Sequence, residues 1–335
     1  MNMENKNEFE TQESILFCIY RGIKNTKKSF ETIKKVRPYK LYIASDGNTN
    51  KLIEKEINYI RNWVLKSINW DCEINTLFRN NNLGVKVAMK EAIDWVADKE
   101  DYFFVIECDC FVHNQFIKLA PLLKNDLELS GLKKFNICSY SLNINKNEDL
   151  IFKRATLCMI WGWYVSTNTW KSFKIDCYPK FTSLLLLKFL ISNNLGFKST
   201  IFWLAKLFDC YAELDRTWGN RYAIHCMIKN IPSFIPNKIL CNNIGIGDEC
   251  ATHANSLYLC LSNNNFDPNE KFKYNNLLDN KLNISNDKIF GRELFKIYSD
   301  PYKIRIKAIL VILFGSNSKK IYNYYKLLFN LINYK

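Results

Sequence analysis

Between Ser14 and Glu107 the apolar positions alternate between two spacings. Short apolar runs at Ser14 to Tyr20, Leu41 to Ala44, Cys72 to Phe78 and Tyr102 to Glu107 read as strands. The segments between them, Thr26 to Lys35, Lys51 to Leu65 and Val85 to Ala97, carry apolar residues at helical spacing. Strands joined through whole helices pair in parallel, because a tight turn only reverses the chain. The pattern therefore predicts an α/β fold, with ligands collecting beyond the carboxyl ends of the strands. Phe135 to Tyr140 reads as a further strand, after which the pattern becomes irregular around Trp161-Gly162-Trp163-Tyr164 and Trp170. Leu184 to Leu190 and Ile201 to Phe208 predict core helices. From Asn255 through Asn286 the chain is polar and Asn-rich, the composition of a loop or linker, and a basic, apolar and aromatic tail runs from Tyr302 to Lys335. The predicted organisation is a flexible N-terminus over 1–13, an α/β domain over 14–255, a linker over 256–286 and a basic helical C-terminal extension over 287–335.

One strand ends in chemistry. Tyr102-Phe103-Phe104-Val105-Ile106-Glu107-Cys108-Asp109 closes on two carboxylates spaced i, i+2. Alternation along an extended chain puts Glu107 and Asp109 on one side and Cys108 on the other. Two hard oxygen ligands at a strand's carboxyl end suit Mg²⁺ or Mn²⁺ carrying a diphosphate. Taken alone, the same residues also read as a solvated strand-to-loop turn.

Charge and cysteine usage narrow the partners. Across 335 residues, 47 Lys+Arg against 33 Asp+Glu give +14, which favours an anionic partner. A nucleotide diphosphate and a membrane surface both qualify, whereas nucleic acid is disfavoured because no arginine-rich stripe or aromatic RNA motif accompanies the charge. Part of the excess reflects a Lys- and Asn-rich composition of the kind an AT-rich genome imposes. The 12 cysteines fall singly apart from Cys108 and Cys110, without a CxxC pair, which suits a reducing compartment rather than a disulfide scaffold. Three histidines leave little for a zinc site. Met1 to Gln12 is polar and acidic, unlike a secretory or transit peptide, and no apolar run is long enough to span a bilayer. A cytoplasmic protein, soluble or peripheral on a membrane, is the expectation.

The motifs follow one another in a telling order. Ser45-Asp46-Gly47 ends a strand, Arg79-Asn80-Asn81-Asn82-Leu83-Gly84 opens a helix, and Glu107-Cys108-Asp109-Cys110 ends the next strand. Then come Trp161-Gly162-Trp163, Trp218-Gly219-Asn220-Arg221-Tyr222, Asn243-Ile244-Gly245-Ile246-Gly247 and Ala251-Thr252-His253. Over residues 14 to 255 this order resembles the GT-A-type nucleotide-sugar glycosyltransferases. The branch it resembles is the bacterial surface-polysaccharide one, whose motifs read Asn-Leu-Gly, Glu-Asp-Asp, Trp-Gly-Trp and Asn-x-Gly-x-Gly followed by Thr-His. The resemblance implies a GT-A fold with a mixed, mostly parallel sheet flanked by helices. It also implies transfer of a sugar from a nucleotide-diphosphate-sugar to a glycan or glycolipid hydroxyl, assisted by Mn²⁺ or Mg²⁺. The chain departs from the family at Cys108, the middle acid of Glu-Asp-Asp, and at Tyr164-Val165-Ser166, where the family continues Ala-Thr-Trp. At Asp248-Glu249-Cys250 it is one residue longer before the His253 motif.

Site roles follow as implications. Tyr20, Arg21, Asp46, Arg79, Asn82, Gly84 and Glu107 are the nucleotide-sugar set. Asp46 has two open readings, an acceptor for base or ribose and a turn-stabilising residue before Gly47. Arg79 at a helix start suits a phosphate. Asp109 and Glu107 are the metal ligands, with His253 closing the shell. Asp109 also serves catalysis through the diphosphate, and Asp215 is the candidate base for the acceptor hydroxyl, with Glu213 and Glu249 as rivals; a helix N-cap is the competing reading of Asp215. Trp161, Gly162, Trp163, Trp218 and Arg221 form the candidate acceptor side, although buried core tryptophans would look the same. Basic residues beside the apolar tail either dock on anionic lipid or belong to a packed helix pair. Two other classes compete with the transferase. One is a sugar-phosphate nucleotidyltransferase, against which the absence of a glycine-rich first loop counts, since Tyr20-Arg21-Gly22-Ile23 stands there. The other is a non-catalytic nucleotide- or carbohydrate-binding protein.

Overall fold

Parallel strands in the spatial order β3-β2-β1-β4 carry the first part of the chain. They are β1 (Ser14–Ile19), β2 (Lys40–Ser45), β3 (Glu73–Phe78) and β4 (Tyr102–Glu107), joined through α1 (Ile23–Val36), α2 (Lys51–Ser67) and α3 (Val85–Ala97). The structure, a computed structural model, describes residues 11–141, 148–174, 182–215, 217–246, 266–282, 288–289 and 301–323. Every residue of β1 is buried, which is why its sequence is a continuous apolar run rather than an alternation. The helices cover the sheet with apolar faces, Phe30, Ile33 and Val36 on α1, Ile57, Ile60 and Val64 on α2, and Ala92, Ile93 and Val96 on α3. Asn50 caps α2, its side-chain oxygen accepting from the Leu52 and Ile53 amides at 3.1 and 3.0 Å.

Past β4 the sheet becomes mixed. β5 (Cys110–Val112) and α4 (Asn114–Leu129) follow, then β6 (Asn136–Cys138), β7 (Phe152–Ala155) and β8 (Trp163–Ser166), with one helical turn, α5 (Thr167–Trp170). Helices α6 (Thr182–Ser192), α7 (Phe197–Tyr211) and α8 (Gly219–Ile228) precede β9 (Ser233–Pro236), β10 (Cys241–Asn243), β11 (Leu278–Leu282) and α9 (Pro301–Phe314). The described sheet has nine strands in the order β11-β7-β9-β6-β8-β4-β1-β2-β3, with β8 antiparallel to both β4 and β6. The expected α/β fold, a large mostly parallel sheet flanked by helices, is what forms. A separate ribbon pairs β5 with β10 antiparallel, Asn243 opposite Cys110.

The segment read as a linker contains structure that its composition hides. β11 joins the sheet edge, Phe272 and Leu277 are buried, and the Gln115 amide brackets the Phe272 backbone with bonds of 2.9 and 2.8 Å. The described residues divide into two units, one drawn from 11–154, 159–172 and 232–281, the other from 155–158, 173–231 and 282–323. Thus α9 shares a unit with α6, α7 and α8. It packs on α7 through Ile304, Ala308 and Val311, and the Lys307 ammonium reaches the Asp209 carboxylate at 2.6 Å. Among the described residues no helix is long and apolar enough to cross a membrane.

His113 caps α4, its Nδ1 accepting from the Gln115 amide at 3.1 Å, and only 3% of the residue is exposed. Burial pushes its pKa down to about 4, against the upward pull of the Glu270 backbone and Asp267. The unfolded chain, titrating near ~6.5, then binds the proton more tightly than the fold does. Its stabilising contribution is complete above pH ~6.5 and is lost as pH falls toward ~4, a change of up to about 3 kcal/mol. In urea titrations across that window, His113→Asn, which keeps an N-cap oxygen, should lose less stability than the wild type, the paired comparison cancelling the other titrating groups. Parallel losses would refute the assignment.

Candidate active site

A cavity of about 330 Å³ opens beyond the carboxyl ends of the parallel strands. Its walls come from the end of β1 (Cys18 to Arg21), the end of β2 (Ala44 to Asp46), the loop before α3 with that helix's first turns, and Glu107, Cys108 and Asp109 after β4. Strands β1 and β4 are neighbours, yet the chain leaves β1 toward β2 on one side and returns to β4 on the other. Such a switch in strand order leaves a crevice between the diverging connections, where ligands of open α/β sheets bind.

One wall is held by a carboxylate. Asp46 Oδ1 accepts from the Gly47 amide at 2.8 Å and the Leu83 amide at 3.0 Å, while Oδ2 accepts from the Gly84 amide at 2.9 Å and Asn82 Nδ2 at 3.1 Å. These bonds use the acceptor positions a carboxylate offers. Of the two readings of Asp46, the geometry matches the turn-stabilising one, extended to the whole loop. Gly47 is obligatory here because a Cβ would lie 2.2 Å from the Asn81 carbonyl carbon. Asn82 Nδ2 also donates to the Tyr20 hydroxyl and the Gly47 carbonyl, each at 3.1 Å. Burial, then the Asp46 charge, raises the Tyr20 pKa and keeps the hydroxyl protonated.

Arginines brace the same rim. Arg61 donates to Ser45 Oγ at 2.9 Å and to the Asp46 and Arg79 carbonyls at 2.9 and 2.7 Å, its guanidinium lying 4.9 Å from the Phe78 ring centre. Nothing in the sequence singles out Arg61, since its role depends on α2 passing behind the loop. Arg79 lines the cavity and pairs with Glu91 at 3.0 Å. Arg21 also lines it, held through Nε by Glu56 at 2.8 Å, whose other oxygen accepts from the Gly22 amide at 3.1 Å.

The acidic wall corrects one expectation. β4 ends at Glu107 and the next two residues form a turn, so strand alternation stops and Cys108 lines the cavity beside Glu107 and Asp109 instead of facing away. Its amide donates to the Cys18 carbonyl at 2.9 Å and its thiol reaches the Arg21 carbonyl at 3.9 Å. Burial, then the Asp109 charge, pushes the Glu107 carboxyl up to about 8 and the Cys108 thiol up to about 12. The cavity therefore presents two mutually repelling carboxyls and a neutral thiol. The ribbon of β5 and β10 brings a second strand end to the pair, where the Ile244 amide donates to the Asp109 carbonyl at 2.8 Å. Gly245 follows, and a Cβ there would stand 2.6 Å from Asp109 Oδ2.

Among the described residues no three metal-ligating side chains cluster. Two carboxylates whose repulsion a cation would relieve nevertheless fit Mg²⁺ or Mn²⁺, which take their remaining ligands from phosphate and water. They do not make a structural zinc site. His253 and Glu249 lie outside the described residues.

The predicted acceptor residues are placed differently. Trp163 is fully buried and packs 6.3 Å from Trp170, so neither of its faces is open to a sugar. Gly162, at φ +63°, sits where a Cβ would meet Val112 and Ser139, and half-buried Trp161 meets Tyr140 edge-on. In the second unit Trp218 is buried beside Tyr222. Asp215 there is locked in a bidentate pair with Arg221, at 2.5 and 2.8 Å, with 1% of its side chain exposed; Arg221 also donates to the Cys210 carbonyl at 2.9 Å. A carboxylate buried under a guanidinium is a poor general base, which removes the assignment of Asp215 to proton transfer. Glu213 is largely exposed and 3.7 Å from Lys319.

No protein-family model matches the chain, and no curated protein matches it. Among solved structures the chain is similar to HddC from Yersinia pseudotuberculosis, whose two structures, one complexed with GMP-PN, show 12% and 13% identity. Each has a TM-score of 0.29 and covers 48% of this chain and 80% of that one. UDP-glucose pyrophosphorylase complexed with UDP-glucose shows 10% identity and a TM-score of 0.35, covering 70% of this chain and 94% of that one.

If Asp46 anchors the rim, Asp46→Ala strands the amides it satisfies. Its stability in urea should fall by about 1–3 kcal/mol, with proteolytic cleavage rising at Asn80 to Gly84. An unchanged midpoint would show that water replaces the carboxylate at no cost.

Proposed function

We propose that this chain is a glycosyltransferase using a nucleotide-diphosphate-sugar, with Glu107 and Asp109 at the diphosphate. The observation that supports it is the convergence of both carboxyls, Arg79 and the Asp46-anchored loop on one cavity at the strand-order switch. A volume of about 330 Å³ lies at the lower end of the ~300–1,000 Å³ range of small-molecule sites.

Each residue then has a task. Tyr20 and Asn82, tied to one another, offer polar groups for the nucleoside, with the apolar turns of α3 at Val85, Ala88 and Met89 beside them. Arg79 and Arg21, both lining the cavity, would meet phosphate with charge-assisted donors. Asp46 positions the loop without touching the ligand. Glu107 and Asp109 would hold a divalent ion, which when bound offsets the charge of the departing diphosphate. Gly245 keeps the Asp109 carboxylate in place by leaving room for it. The acceptor, a glycan or glycolipid hydroxyl, comes from the family resemblance alone. Cys108 in the cavity wall favours one other reading, nucleotide binding without transfer.

Thermal stabilisation against nucleoside diphosphates and nucleotide-sugars, with and without Mn²⁺, tests the assignment. A donor at a hundredfold over Kd should stabilise by about 2.7 kcal/mol. The effect should need Mn²⁺, be confined to one nucleotide class, and disappear in Asp109→Ala and Gly245→Ala while both variants keep native circular dichroism. Release of a nucleoside diphosphate from the stabilising sugar-nucleotide on adding acceptor marks transfer, and formation of a nucleoside triphosphate and a sugar 1-phosphate on adding pyrophosphate marks the nucleotidyltransferase reaction run in reverse. Stabilisation without either leaves a binding protein. No stabilisation by any compound overturns the nucleotide site itself.

A further inference from the structure

Helix α9 is apolar on two opposite sides. Ile304, Ala308 and Val311 form the buried side against α7, as helical spacing requires. Tyr302, Ile306, Ile309 and Leu313, spaced i, i+4, i+7, i+11, form a second stripe on the reverse face, exposed by 76%, 38%, 53% and 66%. A soluble helix ordinarily turns polar side chains outward at such positions. Here the outward polar residues are Lys303 and Arg305, one on each border of the stripe, and no acidic residue occurs between Pro301 and Lys335. Helix α6 of the same unit repeats the arrangement in shorter form, with exposed Leu184 and Ile191 on either side of Lys188.

We propose that this helical unit docks on an anionic lipid bilayer, the α9 stripe entering the headgroup boundary and the flanking cations meeting lipid phosphates. The charge pattern selects lipid over a second copy of the chain. An isologous dimer through this face would bring together two cationic borders on helices that carry no carboxylate, whereas an anionic surface attracts them. The stripe also has the character of an interfacial helix, apolar side chains bordered by Lys and Arg that can extend toward the headgroups. The inference does not depend on the reaction assigned to the cavity.

Co-sedimentation of the full chain with phosphatidylcholine vesicles, with and without phosphatidylglycerol, reads it directly. Binding should require phosphatidylglycerol and weaken with salt. The double variant Ile309→Asp/Leu313→Asp should bind at least about tenfold less, and Arg305→Gln about fivefold less. All three side chains are exposed, so the variants should retain the wild-type melting temperature, and light scattering in the absence of lipid reports self-association. Equal binding by the double variant, no binding to anionic vesicles, or a lipid-free dimer that the double variant abolishes would each overturn the proposal, the last assigning the face to a second copy.

Discussion

The Asp46 carboxylate, with the amides of Gly47, Leu83 and Gly84 and the Asn82 side chain converging on it, is the interaction on which the cavity depends. The other ties between this loop and the chain leaving β2 include the Arg79 amide bond to Ser45, the Arg61 contacts, the Asn82 bond to the Gly47 carbonyl and the Asn48–Asn81 bridge. A carboxylate accepts from several backbone amides at once, and here one anionic acceptor satisfies three. Asp46, itself a cavity-lining residue, thereby serves the architecture of the rim.

The opposite wall works by leaving an interaction unsatisfied. Glu107 and Asp109 share the cavity, and burial together with mutual repulsion raises the Glu107 carboxyl toward neutrality. A cation would relieve both penalties, which is why the proposed metal site needs the pair rather than either side chain alone. Gly245 contributes by lacking a Cβ, since even a methyl group would displace Asp109. The two walls meet at the β1 and β4 ends because the strand order reverses there, which joins the fold to the chemistry.

Much of this was legible beforehand, for identifiable reasons. The strands and helices from β1 to β4 were readable because buried parallel strands are continuous apolar runs and their helices keep strict amphipathic spacing. Glu107, Asp109, Arg79 and Asn82 were readable as cavity residues because strand ends and helix starts are positions a linear pattern locates. Other features depend on contacts across the chain. Cys108 faces the cavity because Cys108 and Asp109 form a turn instead of continuing the extended chain that alternation assumed, and β11 forms from an Asn-rich stretch whose pairing gives no local signal. Asp215 and the buried tryptophans illustrate the same limit, since a catalytic carboxylate and one buried under an arginine have identical letters. Arg61 shows the converse, a surface-helix residue whose importance comes only from what lies in front of it.

The central claim is that Glu107 and Asp109 hold a divalent ion at the diphosphate of a bound nucleotide. Crystals grown with a nucleoside diphosphate and Mn²⁺, measured where manganese scatters anomalously, place the ion without reference to activity. The account predicts an anomalous peak coordinated by the Glu107 and Asp109 carboxylates and bridging the diphosphate, with Arg79 on the phosphate and Asp46 still bound to its loop amides. A nucleotide bound elsewhere, or one in this cavity whose diphosphate and metal avoid both carboxylates, would contradict it.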